Sequence, residues 1–159
     1  MNVATPNIFT ADEFDSILLG LCWAMEDEEP SVAEAAETAC AKISGLLPEP
    51  TAELIACPSP DPDDPAGSFW IPFLESASAA ERSLSLVYRD KTGNGSSRVV
   101  WPLMVDTWRD PAALVAWCET RRDFRVFRVD RIQSLELLDR YPTRRQVLIA
   151  KWQLREEEE

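Results

Sequence analysis

At Ser83 the hydrophobic repeat of this 159-residue chain changes period. Before that point apolar residues recur three and four positions apart, the spacing of one helix face; after it they alternate, the spacing of one strand face. Helices followed by a run of strands make an α+β fold with the two kinds of element segregated. The length admits one domain or two small ones, and 45% hydrophobic residues with six Trp suffice for a packed core.

The helical part opens on "TADE" at 10–13, a capping box with Thr10 as N-cap and Glu13 three positions inside. Phe14, Ile17, Leu18, Leu21 and Met25 follow at helical spacing. "SVAE" at 31–34 reads as a second capping box. It opens a helix with Val32, Ala36, Ala39, Cys40, Ile43 and Leu47 on one side, stopped near Gly45 and Pro48. The short "DEEP" link makes the two an antiparallel hairpin. So small a hairpin leaves Phe14, Leu18, Leu21, Trp23 and Met25 under-covered, and a second copy would cover them. "CPSPDPDDPAG", residues 57–67, reads as an extended linker. "FWIPFLESASAAE" then offers a helix with Trp70, Phe73, Leu74 and Ala77 on one stripe.

Five short strands follow. "SLSLVYRD" sets Leu84, Leu86 and Tyr88 on one face, and "KTGNG" turns the chain back. "SSRVVWPLMV" is the second strand, with Pro102 requiring an edge or a bulge. "AALVAWCET", "FRVFRV" and "IQSLELL" are the remaining three, the last two joined by a tight turn around Asp130 and Arg131. Short strands with tight connections suggest a small antiparallel barrel of Sm-like or SH3-like kind. The tail is a final helix with Leu148 and Trp152 inward and Arg155 paired to Glu159.

Charge is sorted along the chain. Residues 1–80 hold one base, Lys42, against fifteen acids, whereas residues 81–155 hold fifteen bases against nine acids. Thirteen of the sixteen bases are arginine, whose planar fork grips phosphate or carboxylate with two bonds. The chain has no histidine, and Cys22, Cys40, Cys57 and Cys118 are far apart without a CxxC pair. Metal, cofactor and His-based catalysis are therefore not expected, no nucleotide-binding glycine motif is present, and the chain is read as a non-enzyme. A hydrolase or nuclease is disfavoured on the same grounds. The start lacks a signal peptide and no apolar run reaches the ~18–20 residues that span a bilayer. A reduced, cytoplasmic protein is the expectation, with the thiols of Cys22, Cys40 and Cys118 buried and free.

The arginines are the chemistry on offer. "RRDFRVFRVDRI", residues 121–132, packs five of them into twelve positions. Arg98, Arg125, Arg128 and Arg131, interleaved with Tyr88, Trp101, Trp117, Phe124 and Phe127, could combine phosphate grip with base stacking. Alternatively the rings are core and the arginines pair with Asp90, Asp123 and Asp130. Along the strand, Phe124, Val126 and Arg128 share one face and Arg125, Phe127 and Val129 the other. Two leading apolar residues put Phe124 and Val126 inside and Arg128 at the rim against Asp130. Arg125 and Phe127 then face outward, with Arg131 alongside.

The order "LVYRDKTG", "RVVWPL", "LVAWCETRRDFRVFRVDRI" and "RYPTRR…W" resembles the WYL-domain transcription regulators of bacteria. Upstream, residues 9–49 resemble the helical middle segment of the same regulators. The resemblance implies a helical, dimerising segment over 1–56, a Pro/Asp-rich linker over 57–68, and a WYL domain with its C-terminal helix over 69–159. The family fold is an Sm-like barrel that senses a ligand, single-stranded nucleic acid and nucleotides among them, and signals to an attached DNA-binding domain. Its arginine-rich strand and following turn belong to the ligand site, which points to Arg125 and Arg131, then Arg128. With Arg98, Phe127 and Tyr88 these make the expected site. The naming Trp-Tyr-Leu positions fall on Ala112, Ala113 and Leu114, so stacking by those two rings is lost. The nine residues before Thr10 are too few for the family's winged helix-turn-helix. The expectation is thus a ligand-sensing, homodimerising effector region without its DNA reader. The alternative is an adaptor that forms mixed dimers with a full-length regulator and controls its DNA binding.

Overall fold

The computed structural model describes residues 8–158. Four helices and one five-stranded antiparallel sheet make up an α+β architecture, and the chain divides into two compact units. One comprises Met1–Glu49 with Gln146–Glu159, the other Pro50–Arg145.

In the helical unit α1 (Ala11–Ala24) begins at the expected capping box: Thr10 N donates to Glu13 Oε2 at 2.8 Å and Glu13 N to Thr10 Oγ1 at 3.2 Å. Phe14, Leu18 and Cys22, four apart, are its buried face. α2 (Pro30–Leu46) does not open at the second capping box. It starts two residues earlier, with Glu29 in the N-cap position, because Pro30 lacks the N–H that a cap would satisfy and its φ is already helical. The Ser31 hydroxyl donates to Glu29 Oε1 at 3.1 Å instead. Ala36 and Cys40 are buried on α2, while Val32, in its first turn, stands exposed.

The last helix, α4 (Arg145–Glu158), places Val147, Ala150 and Leu154 in one core with Phe14, Leu18, Cys22, Cys40 and Leu47. A two-helix hairpin with small residues cannot enclose Phe14 and Leu18 alone, and α4 supplies the third wall. The cover that the sequence assigned to a second copy is, for those two, within the chain; Trp23 remains 69% exposed. Leu148 is buried as expected, whereas Trp152 is only half-buried, and the Arg155–Glu159 pair lies outside the described residues.

In the sheet unit a 3-10 helix (Ser68–Trp70) leads into α3 (Ile71–Ala79), which buries Trp70, Phe73, Leu74 and Ala77 as the stripe predicts. The stretch before it is tied down: Ser76 Oγ donates to the Glu53 carbonyl at 2.8 Å, and Cys57 Sγ to that of Leu135 at 3.3 Å. The strands are β1 (Arg82–Arg89), β2 (Gly95–Asp106), β3 (Ala113–Cys118), β4 (Asp123–Arg128) and β5 (Ile132–Arg140). Their order in the sheet is β4-β3-β2-β1-β5. β2 is interior, and its Pro102 is accommodated by a register shift between Pro102 and Met104, the bulge that a residue without N–H requires.

The two edge strands are consecutive in sequence, joined only by a 3-10 turn, Val129–Arg131. Four residues reach at most about 14 Å. Flat, five strands would put the edges about 19 Å apart. The sheet must therefore curl. Tyr88 on β1 confirms it by reaching β4: its ring lies 5.3 Å from that of Phe127, and its oxygen accepts from Arg128 N at 3.1 Å. Leu84, Leu86, Val100, Leu114, Ala116, Cys118 and Phe127 line the inside against α3.

Candidate anion site

β3 decides which way β4 faces. Phe127 is opposite Leu114 and Arg125 opposite Ala116, both fully buried inward positions, while Phe124 is opposite Trp117 and Val126 opposite Val115. Residues directly opposite in an antiparallel pair share a face. Phe127 therefore points inward, 5% exposed, and Val126 outward, 37% exposed. This reverses the assignment of Val126 and Phe127 made from the leading apolar residues of β4, while Arg125, on the same face as Phe127, is exposed as expected. Phe127 is a core ring, not a free stacking surface. The cross-strand ring pair Trp117–Phe124, 5.1 Å apart, is the signal in the sequence that fixes this register.

Of the expected site residues, the structure brings Tyr88, Phe127 and Arg128 together next to the turn that carries Arg131. Half-buried, Tyr88 props up β4 through its oxygen and is edge-on to Phe127, so it too is a strut. Arg128 sits at the rim with both arms on Asp130, Nε to Oδ1 at 3.1 Å and Nη2 to Oδ2 at 2.7 Å. That carboxylate raises the guanidinium pKa further. Arg98 lies on β2 opposite Leu86, one inward position from the Tyr88–Ser96 pair, and Arg125 one inward position from Phe127.

Five other arginines differ from Arg128 in a decisive way. Among the described residues Arg98, Arg121, Arg122, Arg125 and Arg131 have no hydrogen-bonded or ion-paired side-chain partner. The acids that could have neutralised them are engaged. Asp90 organises the β1–β2 turn, accepting from Thr92 and Asn94, and the Thr92 hydroxyl leads the bonds that lower its pKa. Asp130 is held by Arg128, and Asp123 accepts from Phe124 N at 2.8 Å. Simple surface pairing therefore accounts for Arg128 and not for Arg98, Arg125 or Arg131.

Trp101, Trp117 and Phe124 do not interleave with those arginines. They form an aromatic row on the opposite, outer face, continued by Tyr141: Tyr141–Trp101 is stacked at 5.5 Å and Trp101–Trp117 tilted at 6.1 Å. Trp101 Nε1 donates to Glu119 Oε1 at 2.7 Å. Burial, then the nearby Glu81 carboxylate, raises the pKa of Tyr141. Sequence reasoning passed over Glu81 altogether. It is 3% exposed, and it accepts from Arg144 and from the first N–H of α4. An acid just past the C-terminus of α3, where the helix dipole disfavours it, was the available clue. Among the described residues no group of three His, Cys, Asp or Glu could hold a metal, and no helix is long and apolar enough to cross a membrane.

A curled five-stranded antiparallel sheet packed on one helix, with Arg98 on β2, Arg125 on β4 and Arg131 on the turn after it lacking acidic partners among the described residues, is the class that fold and site define. Residues 72–137, from α3 into β5, match the model of the WYL domain. Among solved structures the chain is similar to proteasome accessory factor B/C (PafBC) of Arthrobacter aurescens, at 23% identity and a TM-score of 0.41. That alignment covers 81% of this chain and 20% of PafBC, so the chain spans about a fifth of that protein's length. No curated protein matches it.

Proposed function

We propose that this chain is the ligand-sensing part of a WYL-type transcription regulator. Its ligand is anionic, a single-stranded nucleic acid or a nucleotide, held by Arg98, Arg125 and Arg131. The observation that carries this reading is that these three cations, all inside the matched segment, lack acidic partners among the described residues. Arginines left without a counter-charge are poised to form charge-assisted bonds with phosphate. Since Phe127 and Tyr88 are committed to packing, the grip is electrostatic more than stacking. Binding should then be steeply salt-dependent and tolerant of base sequence.

Fluorescence polarisation with a labelled 12-nucleotide single strand, over a salt series, tests this. Arg125→Ala and Arg131→Ala should each weaken binding by about 1–3 kcal/mol and flatten the salt dependence. Arg128→Ala should do less, because Asp130 already neutralises that charge. ATP and a duplex as competitors separate nucleotide from strand recognition. Equal binding by wild type and an Arg125→Ala/Arg131→Ala double variant would sink the proposal.

In the same reading the sheet is an Sm-like barrel and the helical unit makes a cytoplasmic homodimer. Trp23, 69% exposed near the end of α1, also favours a second reading. There the helical unit docks on a related, full-length regulator and withholds it from DNA. Light scattering of the chain alone and of a mixture with such a regulator distinguishes a self-dimer from a mixed one.

A further inference from the structure

Glu81 occupies an unlikely place for a carboxylate. It follows α3 in the left-handed conformation, φ 55°, a position where helices commonly end on glycine because a Cβ is disfavoured there. Its side chain is buried. Nothing local requires an acid here, and the helix dipole opposes one. What holds it is a set of donors from the other end of the sheet unit. Arg144 Nε lies 3.1 Å from Oε1, Arg140 Nη2 3.4 Å from Oε2, and Arg145 N donates to Oε1 at 2.6 Å. The Glu81 carbonyl accepts from Tyr141 N at 3.0 Å.

The last of the carboxylate's bonds makes Glu81 an N-cap supplied from 64 residues away. The first N–H groups of a helix have no partner within it. A carboxylate there satisfies one and complements the helix dipole. The same connector is pinned to the β2 bulge: Tyr141 Oη donates to the Pro102 carbonyl at 3.1 Å, and Arg145 Nε to that of Leu103 at 2.7 Å. Three features therefore meet at Glu81: a strained backbone, a buried charge, and the start of the helix whose later residues Val147, Ala150 and Leu154 belong to the helical core.

We propose that Glu81 is a two-state latch that positions the first turn of α4. Closed, the carboxylate is bound by Arg140, Arg144 and the α4 N-terminus, and those bonds hold the residue left-handed. Open, the carboxylate leaves, Glu81 relaxes out of the left-handed region, and the first turn of α4 is uncapped while the sheet stays folded. Strain retained at a residue whose neighbours over-determine it is the usual mark of such a bistable element. Glu81 is a positioning residue, and the latch stands whether or not the sheet binds an anion.

Hydrogen–deuterium exchange of the full chain, read peptide by peptide, tests it. Glu81→Gln keeps the shape and removes the charge. Amides of 141–148 should exchange at least about tenfold faster, while those of β3 and β4 stay within about twofold of wild type. Glu81→Gly removes strain and carboxylate together and should release the same peptides. Should Glu81→Gln fail to fold, Arg144→Gln carries the test, with a smaller acceleration confined to 141–148. Unchanged protection at 141–148, or acceleration spread evenly over sheet and helix, overturns the latch and leaves Glu81 an ordinary stabilising residue.

Discussion

Replacing Gly67 by alanine tests whether the turn bearing Arg131 is held as rigidly as its packing implies. Gly67 has φ 71°, and a Cβ built there would lie 2.8 Å from the Val129 carbonyl oxygen and 3.3 Å from Trp70 Cδ1. Neither neighbour yields readily. Val129 is fully buried and its N–H donates to the Ala112 carbonyl at 2.9 Å, and Trp70 is 2% exposed. The left-handed backbone alone costs an L-residue about 1–2 kcal/mol. Relieving a sub-van der Waals contact against fixed backbone adds an overpacking cost of about 1–3 kcal/mol. Gly93→Ala is the internal control: φ is 85°, but no atom lies within 4 Å of the added Cβ, so it carries strain without collision. Chemical denaturation followed by tryptophan fluorescence should place Gly67→Ala roughly 1–3 kcal/mol below Gly93→Ala. Equal losses would refute the reasoning, since the Val129–Arg131 turn would then be yielding freely.

The face assignment of β4 predicts that Phe127→Ala costs about 3–5 kcal/mol, whereas Val126→Ala costs less than about 1, measured as denaturation midpoints. Similar losses would restore the reversed strand. Thr10→Ala removes one leg of the capping box and should destabilise the helical unit by about 1 kcal/mol, visible as earlier loss of far-ultraviolet signal from that unit. Burial, with the Cys40 thiol beside it, pushes the Cys22 thiol up from 9.0 to about 11. Its stabilising contribution is thus complete below pH 9 and lost as pH rises through 11, because the unfolded thiol ionises first. The stability difference between wild type and Cys22→Ala should shrink by roughly 2–3 kcal/mol between pH 8 and pH 11. A constant difference would count against a dry thiol at that position.

What the sequence made legible is what short-range pattern encodes. The Thr10 capping box, the Trp70–Ala77 stripe, the alternation from Ser83 and the Pro102 bulge each follow from residues within a few positions of one another, and each is present. The Arg128–Asp130 pair, two residues apart, was equally readable. The misreadings have a common cause. Over residues 124–129 each face carries two apolar residues and one arginine, so parity is silent, and pairing with β3 decides. α4 has a usable stripe, but its partners α1 and α2 lie at the other end of the sequence. Glu81 is meaningful only once residues 140–145 return to it. At α2 two local signals competed, and the fixed φ of Pro30 prevailed over the Ser31–Glu34 pattern.

The aromatic row on the outer face gives the sheet an optical property. Trp101 and Trp117 lie 6.1 Å apart with planes at 30°, and Trp101 is stacked on Tyr141 at 12°. Indole transitions this close couple, so their near-ultraviolet dichroism depends on distance and angle and not only on the surroundings of each ring. The two tryptophans are on neighbouring strands, and Tyr141 belongs to the connector that Glu81 holds. A sub-ångström slide of that connector over β2 would therefore change the sign or size of a signal the protein carries without any label.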